Sequence, residues 1–532
     1  MKKLLTLPLV FFAAALLNAA PLPSKNIALD QKVGQLVWAR IDIGEQELVK
    51  ESVEKGLVGC ILIKGGSYDY LEAVRAIEDL QEWAKKSPSQ IPLFIAFDYE
   101  GGAVVSPMAV GLQQLPSNMA MNAAGSPELA QEVFYQSGME IKRIGGHVSY
   151  APDADVNTNP ENPIIGTRSF GSDPDTVSKY VVSGVKGLQK ANVAAFAKHF
   201  PGHGDTEVDS HEAVPVMNLP LEDLKRLHLP PFKAAIANGV DGVMTSHVIY
   251  PAIDPHNPAS LSEKVAKDLL RKELKFKGLI ITDSLDMGGA LTYGTMPEVA
   301  VKALVAGADL ALIAKADPIP TTMEIYNSVG KTISEKQIND SYKKVIALKK
   351  KYGLFKEPQA DIYSFRAAAR EVAKKSVTLY KNEQKLIPLS SDIKEACAVY
   401  FTLPVFEDKI TRVTKAMQNE MIAVEEVFAP LAPAEEDLAK VRECVKNKDL
   451  IIVGSTQPYA SVPEQQQAIK EILDNNEKVI LISTLNPYDV SVYPQAKNVI
   501  MLYAATEFSA EAAGKIITGK QIAEGKLPVN LK

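Results

Sequence analysis

Val193-Ala194-Ala195-Phe196-Ala197-Lys198-His199-Phe200-Pro201-Gly202-His203-Gly204-Asp205-Thr206 passes from an unbroken apolar run into a polar, glycine-rich segment. An apolar run without alternation is the pattern of a strand buried on both faces, as in a parallel sheet. The polar residues that follow are then carried at the rim of that sheet and not in its core. Asp209-Ser210-His211 comes a few residues later, so three of the chain's seven histidines, His199, His203 and His211, are gathered here.

The same figure recurs from residue 30 to about 350. Strand candidates are Gly34–Ala39, Val58–Lys64, Pro92–Phe97, His147–Ala151, Val193–Ala197, Gly242–Ser246, Leu279–Thr282 and Asp309–Ala314. Between them lie stretches of helical period, Tyr70–Lys86, Pro127–Ile144, Asp173–Lys190, Leu221–Asn238, Ser262–Leu274 and Pro297–Ala306. Strand–helix alternation on this scale predicts a (β/α)8 TIM-like barrel. Polar motifs follow the strands: Asp98-Tyr99-Glu100-Gly101-Gly102 the third, Asp153 and Asp155 the fourth, Lys198-His199 the fifth, His247 the sixth, Asp283 the seventh. The C-terminal strand ends of a barrel converge on one face, so these residues are expected to share a pocket.

Gln337–Tyr352 reads as the helix that closes this domain, over residues 30–352. Residues 353–363, with Gly353 and Pro358, read as a linker, and residues 364–532 as a second, smaller α/β sandwich domain. Its apolar runs Ala398–Leu403, Leu450–Gly454, Val479–Thr484 and Val499–Tyr503 suit a parallel-rich sheet. A chain of 532 residues is too long for one ordinary core, which agrees with two domains. At 46% hydrophobic and 23% charged it has a globular composition, and a formal charge of −6 with no basic stripe argues against nucleic acid as a partner. The cluster Lys349–Lys351 reads as a solvated helix face. Residues 1–20, a Lys2-Lys3 start, an apolar Leu4–Leu17 and a small-residue end before Pro21, have the form of a secretory signal peptide. That apolar segment is short for a membrane span. The expected location is therefore exported, periplasmic or secreted. Cys60, Cys397 and Cys444 leave two arrangements open, a Cys397–Cys444 bridge or buried free thiols.

Asp283, directly after an apolar strand in Leu279-Ile280-Ile281-Thr282-Asp283-Ser284-Leu285-Asp286-Met287, is a candidate nucleophile or electrostatic stabiliser. The competing role is a helix N-cap, which Asp286 fits better. In the extended stretch Asp209-Ser210-His211, residues two apart face the same side, so the carboxylate can orient and charge-balance the imidazole for proton transfer. A solvent-exposed loop pair is the alternative. Asp98, Arg168, Lys198 and His199 suit a polyhydroxylated ligand, because charge-assisted hydrogen bonds orient hydroxyls most strongly. Arg168 is equally suited to pairing with Asp153 or Asp155. A metal reading of His199, His203, Asp209 and His211 lacks any HExxH or CxxC signature, and Asp153-Ala154-Asp155-Val156-Asn157 continues with Thr158 where a calcium loop needs glycine.

Taken together, these motifs resemble glycoside hydrolase family 3 in its β-N-acetylhexosaminidase (NagZ-like) branch, in a two-domain exported form. The likeness rests on Lys198–Thr206 with Asp209-Ser210-His211, Thr282–Met287, Asn157–Pro160 with Ile165–Gly171, and Val243–Val248, with a weaker echo near Gly519–Val529. The resemblance implies a barrel followed by an α/β sandwich and no metal or organic cofactor. It further implies Asp283 as nucleophile, Asp209–His211 as the general acid/base dyad, and Asp98, Arg168, Lys198 and His199 as holders of a terminal N-acetylglucosamine. The implied activity is retaining exo-hydrolysis of a β-N-acetylglucosaminide; for an exported enzyme peptidoglycan fragments are the expected glycan, with chitin oligomers as the alternative. A phosphorylase acting through the same residues and a non-catalytic secreted glycan-binding protein are the alternatives. Two positions depart from the family pattern: Ala103 follows Gly101-Gly102 where Arg is usual, and Tyr99 stands in place of Gln or Glu.

Overall fold

The computed structural model describes residues 27–531, apart from 66–69, 103, 105–109, 208–213, 315, 356–365 and 457–461. The expected signal peptide, Ala103, the Asp209–His211 pair and most of the expected linker lie outside the described residues.

Eight parallel strands form the first sheet, in the order β10-β1-β2-β3-β4-β5-β6-β9. They are β1 Val37–Asp42, β2 Cys60–Gly65, β3 Phe94–Phe97, β4 Val148–Ser149, β5 Ala194–Phe200, β6 Gly242–Thr245, β9 Leu279–Thr282 and β10 Ala311–Ile313. The first and last members meet through a parallel bridge between Ile281 and Leu310, where Thr282 N–H reaches the Leu310 carbonyl at 3.2 Å, and so the sheet closes into a barrel. Two further strands, β7 Ile249–Tyr250 and β8 Asp254–Pro258, form a short antiparallel hairpin after β6. Each apolar run read from the sequence overlaps a barrel strand. The largest offset is at β1, because Leu29–Gly34 is a helix that takes the first residue of the expected run.

Inside the barrel, Trp38 packs its ring against Phe94, Tyr150 and Phe196 with centroids 5.7, 6.3 and 5.8 Å away. These four side chains fill the interior, so the barrel is a packed core and not a pore. Below them sits Lys349, fully buried, whose ammonium donates to Gln35 Oε1 at 2.6 Å, the Gly59 carbonyl at 2.9 Å and the Pro92 carbonyl at 2.7 Å. Burial pushes its pKa down to about 7. The reading of Lys349–Lys351 as a solvated face holds for Lys350 and Lys351, which are exposed, and is corrected for Lys349. Lys349 plugs the N-terminal end of the barrel, and Lys351 pairs with Asp241 at 2.6 Å. The three donors of one ammonium match three oxygens that β1–β3 bring together, a match invisible in linear sequence.

Two helical expectations change in detail. Leu221–Asn238 divides into helices Leu221–Leu227 and Leu229–Ala237, broken at His228 where Pro230 and Pro231 remove backbone donors. Lys264–Glu273 winds as a π-helix.

The second sheet has the order β11-β16-β15-β14-β12-β13, with β11 Thr378–Asn382, β12 Glu395–Phe401, β13 Ala423–Ala429, β14 Leu450–Ser455, β15 Val479–Ser483 and β16 Asn498–Met501. Only β11 runs antiparallel. Cys397 and Cys444 form a disulfide, which decides between the two arrangements left open, and Cys60 is a free, buried thiol of the barrel. The chain end returns to the barrel, where Lys526 N–H meets the Ala123 carbonyl at 3.2 Å. Among the described residues no helix is long and apolar enough to cross a membrane.

Candidate active site

Strand β5 does not stop at Ala197. It runs on to Phe200, with Lys198 and His199 buried within it, and the parallel bridge from Asp153 to Lys198 sets the β4 end beside it. The Lys198 ammonium therefore lies where β3 delivers two acids, 2.9 Å from Asp98 Oδ1 and 3.0 Å from Glu100 Oε1. Arg168, carried by the short 3-10 turn Gly166–Arg168, clasps Glu100 from the other side, Nε to Oε2 and Nη2 to Oε1, both at 3.1 Å. Asp98, Arg168, Lys198 and His199, named from sequence as ligand-binding residues, are thus brought into one cluster.

Glu100 joins Lys198 to Arg168, and sequence reasoning did not single it out, although it stands in the quoted Asp98–Gly102 motif. Asp155, which the sequence placed at the same rim and offered as a partner for Arg168, instead organises two histidines. It accepts from His199 N–H at 3.2 Å, from His199 Nδ1 at 2.7 Å and from His203 N–H at 2.6 Å. On the far side of the ring, Arg168 Nη2 lies 3.2 Å from His199 Nε2. A guanidinium can only donate, so Nε2 accepts and Nδ1 carries the proton toward Asp155. Arg168's main partner is Glu100, with Asp153 Oδ2 farther off at 3.9 Å.

The charges are set by this crowding. Burial alone pushes Asp98 up, yet Lys198 and Lys64 outweigh it and hold its carboxyl well below the usual range. Burial likewise works against Lys198, but Asp98 and Glu100 raise its pKa above the ordinary lysine value. Glu100 is held low against burial by Arg168 and Lys198, and Asp155 by His199 and His203. Asp153 goes the other way, because burial and the neighbouring Asp155 charge both favour its protonated form.

Asp283 sits at the end of β9, its N–H bonded to the Thr245 carbonyl at 2.9 Å and its Oδ1 accepting Ser284 N–H at 2.7 Å. Burial pushes its pKa up, but His199, His247, the Ser284 N–H and Lys198 outweigh it and hold the carboxyl at about 2. His247, at the end of β6, is fixed between Ser260 Oγ at 2.8 Å and the Ser284 carbonyl at 3.0 Å. Asp286 does not cap the following helix, whose N-cap is Met287; it lies 3.5 Å from Arg40. What results is a buried, ionised carboxylate at the strand-end face, under the electrostatic influence of His199, His247 and Lys198.

Ligating atoms of Asp153, Asp155 and His199 lie within 4.8 Å of one another. His199 Nδ1 points its proton at Asp155, the Arg168 guanidinium stands 3.9 Å from Asp153 Oδ2, and Asp153 is pushed toward its protonated form, three features that work against a cation at this cluster.

Residues 28–348 match the family model described as "Glycosyl hydrolase family 3 N terminal domain". The chain is 36% identical over 279 residues to a "Beta-hexosaminidase" of Idiomarina loihiensis, covering 51% of this chain and 82% of that protein. It is 35% identical over 270 residues to "Beta-hexosaminidase A" of Pseudoalteromonas piscicida, covering 48% of this chain but only 45% of that longer relative. A solved structure of a glycoside hydrolase family 3 beta-N-acetylglucosaminidase from Paenibacillus sp. str. FPU-7 superposes with a TM-score of 0.87 at 31% identity, over 95% of this chain and 99% of that one.

Proposed function

Because this chain belongs to glycosyl hydrolase family 3, we propose that it is a retaining exo-β-N-acetylglucosaminidase that removes terminal N-acetylglucosamine from β-linked glycans. The observation that carries this reading is Asp283, a carboxylate held ionised at about 2 amid Lys198, His199 and His247. Names of the relatives, beta-hexosaminidase and beta-N-acetylglucosaminidase, support the same sugar.

In the proposed reaction Asp283 attacks the anomeric carbon while His211, oriented by Asp209, protonates the departing oxygen. Water deprotonated by His211 then releases the sugar from the Asp283 ester with net retention. Asp98, Lys198, Arg168 and His199 hold the sugar hydroxyls, their positions pinned by Glu100 and Asp155. Geometry fixed before binding lets their full strength act on the transition state.

Short glycans fit best. The two tryptophans offer no platform for a long polymer, since Trp38 is in the barrel core and Trp83 lies under the Lys50 ammonium, 5.1 Å from its ring. With the signal-like start at residues 1–20, this reading makes peptidoglycan fragments outside the cytoplasm the natural substrate.

The test is chromophore release from an aryl β-N-acetylglucosaminide against the aryl β-glucoside, with and without phosphate, for wild type and Asp283→Ala. Selective, phosphate-independent turnover abolished by the substitution is expected. Phosphate-dependent formation of a sugar 1-phosphate would replace the hydrolase by a phosphorylase. Tight sugar binding without turnover would make the protein a glycan-binding one.

A further inference from the structure

The turn by which the second domain meets the barrel is built over a buried acid. Tyr488, in the turn Pro487–Val492 that follows β15, accepts from Asn157 Nδ2 of the barrel at 3.1 Å. The next residue, Asp489, turns back into its own domain and is 4% exposed. Its Oδ2 lies 2.9 Å from Ser455 Oγ at the end of β14. Its Oδ1 is buried and has no hydrogen-bond partner.

The protons around Ser455 decide which form of the acid fits. The Ser455 hydroxyl holds one proton and has two oxygen neighbours, Asp489 Oδ2 and, at 3.3 Å, Gln465 Oε1. Gln465, on the helix Pro463–Asn475, has a fixed orientation: its Oε1 accepts Thr456 N–H at 3.1 Å, while its Nε2 donates to the Thr456 carbonyl at 3.1 Å and the Leu431 carbonyl at 3.4 Å. An amide oxygen only accepts, so Ser455 donates to Gln465, and its bond to Asp489 then needs a proton on the carboxyl. A neutral Asp489 completes the chain Asp489–Ser455–Gln465. An ionised one leaves two oxygens competing for one proton, and Oδ1 bare in the interior.

No cation offsets such a charge. Ser455 from β14, Ser483 from β15 and the Val490 N–H of its own turn are the groups that act on Asp489, and among the described residues no charged side chain does. Thr456 and Thr484, which follow those two strands and meet at 2.5 Å, are uncharged as well, and Tyr488 faces Asn157. Burial outweighs the nearby donors and raises the Asp489 carboxyl to about 7.

We propose that Asp489 is a proton-operated latch at the domain junction: while protonated it holds the turn that grips Asn157, and loss of the proton lets the turn release the barrel. The closed turn keeps the proton, whereas an opened, hydrated turn gives it up at an ordinary carboxyl value. Closure therefore weakens as pH rises from about 4 to about 7 and changes no further above that. This is the reverse of the barrel acids Asp98, Glu100, Asp155 and Asp283, and it does not depend on what the active site hydrolyses.

Hydrogen exchange of the full-length protein, read by mass spectrometry and corrected for the intrinsic pH dependence of amide exchange, tests this from about pH 5.5 to about pH 8. In the wild type, protection of the peptide covering residues 486–492 is expected to fall about tenfold per pH unit up to about pH 7 and then level off. The barrel peptide around Asn157 should follow it. Asp489→Asn keeps the shape and puts an NH2 donor where the protonated carboxyl stood, so both peptides should stay within about twofold across the range. Tyr488→Phe removes the oxygen that Asn157 holds, so the turn should keep its slope while the barrel peptide loses it. Wild-type protection of the turn that does not change with pH, a barrel peptide that stays unmoved, or a slope that survives in Asp489→Asn would overturn the proposal. The first two are read on the wild type alone and stand even where a variant fails to fold.

Discussion

Replacing Glu100 by glutamine should be felt in both stability and activity. The side chain is 1% exposed, with Arg168 Nε and Nη2 each at 3.1 Å and Lys198 Nζ at 3.0 Å. Glutamine keeps the shape but turns one acceptor oxygen into an NH2 group that must face a guanidinium or an ammonium. Breaking a buried ion pair from one side costs about 3–5 kcal/mol, because the stranded charge stays buried. Here Lys198 retains Asp98 at 2.9 Å, and Arg168 retains the Ile164 carbonyl at 3.2 Å, so the lower end applies. A loss of about 3 kcal/mol corresponds to a melting temperature lower by about 6 °C in a domain of this size. Arg168 and Lys198 would also lose their set positions. A charged donor out of place is worth about 2 kcal/mol, or roughly thirtyfold in kcat/KM on the aryl N-acetylglucosaminide. Calorimetry and steady-state kinetics on Glu100→Gln measure both. A melting shift under about 1 °C with kcat/KM within about twofold of wild type would refute the claim that Glu100 holds the pocket together.

Lys349→Met should destabilise the barrel by about 2 kcal/mol or more, since it strips three oxygens of their shared donor, while kcat is unchanged; melting curves and kinetics on one preparation check both. Acid should weaken the wild type in a defined window. Asp98, Glu100, Asp155 and Asp283 are all held below their ordinary values in the fold, so the unfolded chain binds protons first. Their stabilisation is complete above about pH 5 and is lost as pH falls toward about 2, and a melting temperature flat from pH 5 to pH 3 would contradict it. Reducing the Cys397–Cys444 bridge, which closes a loop of sequence separation 47, should lower second-domain stability by up to about 4 kcal/mol on loop-entropy grounds, read by urea unfolding with and without reductant.

The barrel strands were legible because a strand covered on both faces needs apolar residues throughout, as Leu279–Thr282 and Ala194–Ala197 show, and because polar residues cluster where those strands end. For the same reason β12, β14, β15 and β16 of the second sheet were found. Edge strands give a weaker signal. In β13, Ala-Val-Glu-Glu-Val-Phe-Ala, acids interrupt the apolar run, and β11 is short and partly exposed, so neither stood out. Within the site, residues at strand ends were readable one by one, but their partners were not. Glu100 and Arg168 are 68 positions apart and meet only when the barrel closes. Asp155 and His199 are 44 apart, and the burial of Lys349 depends on oxygens that β1–β3 bring together. Pro230-Pro231 was a local signal for the break at His228, overridden in reading by the apolar period on either side.

Asp283 as the nucleophile is the step on which the proposed reaction turns. Incubation with a fluorinated β-N-acetylglucosaminyl fluoride, whose second step is slow, followed by intact mass and peptide mapping, tests it. One sugar adduct on the peptide containing Asp283, absent in Asp283→Ala, is the predicted result. An active enzyme that forms no adduct, or carries it on another residue, would contradict the mechanism.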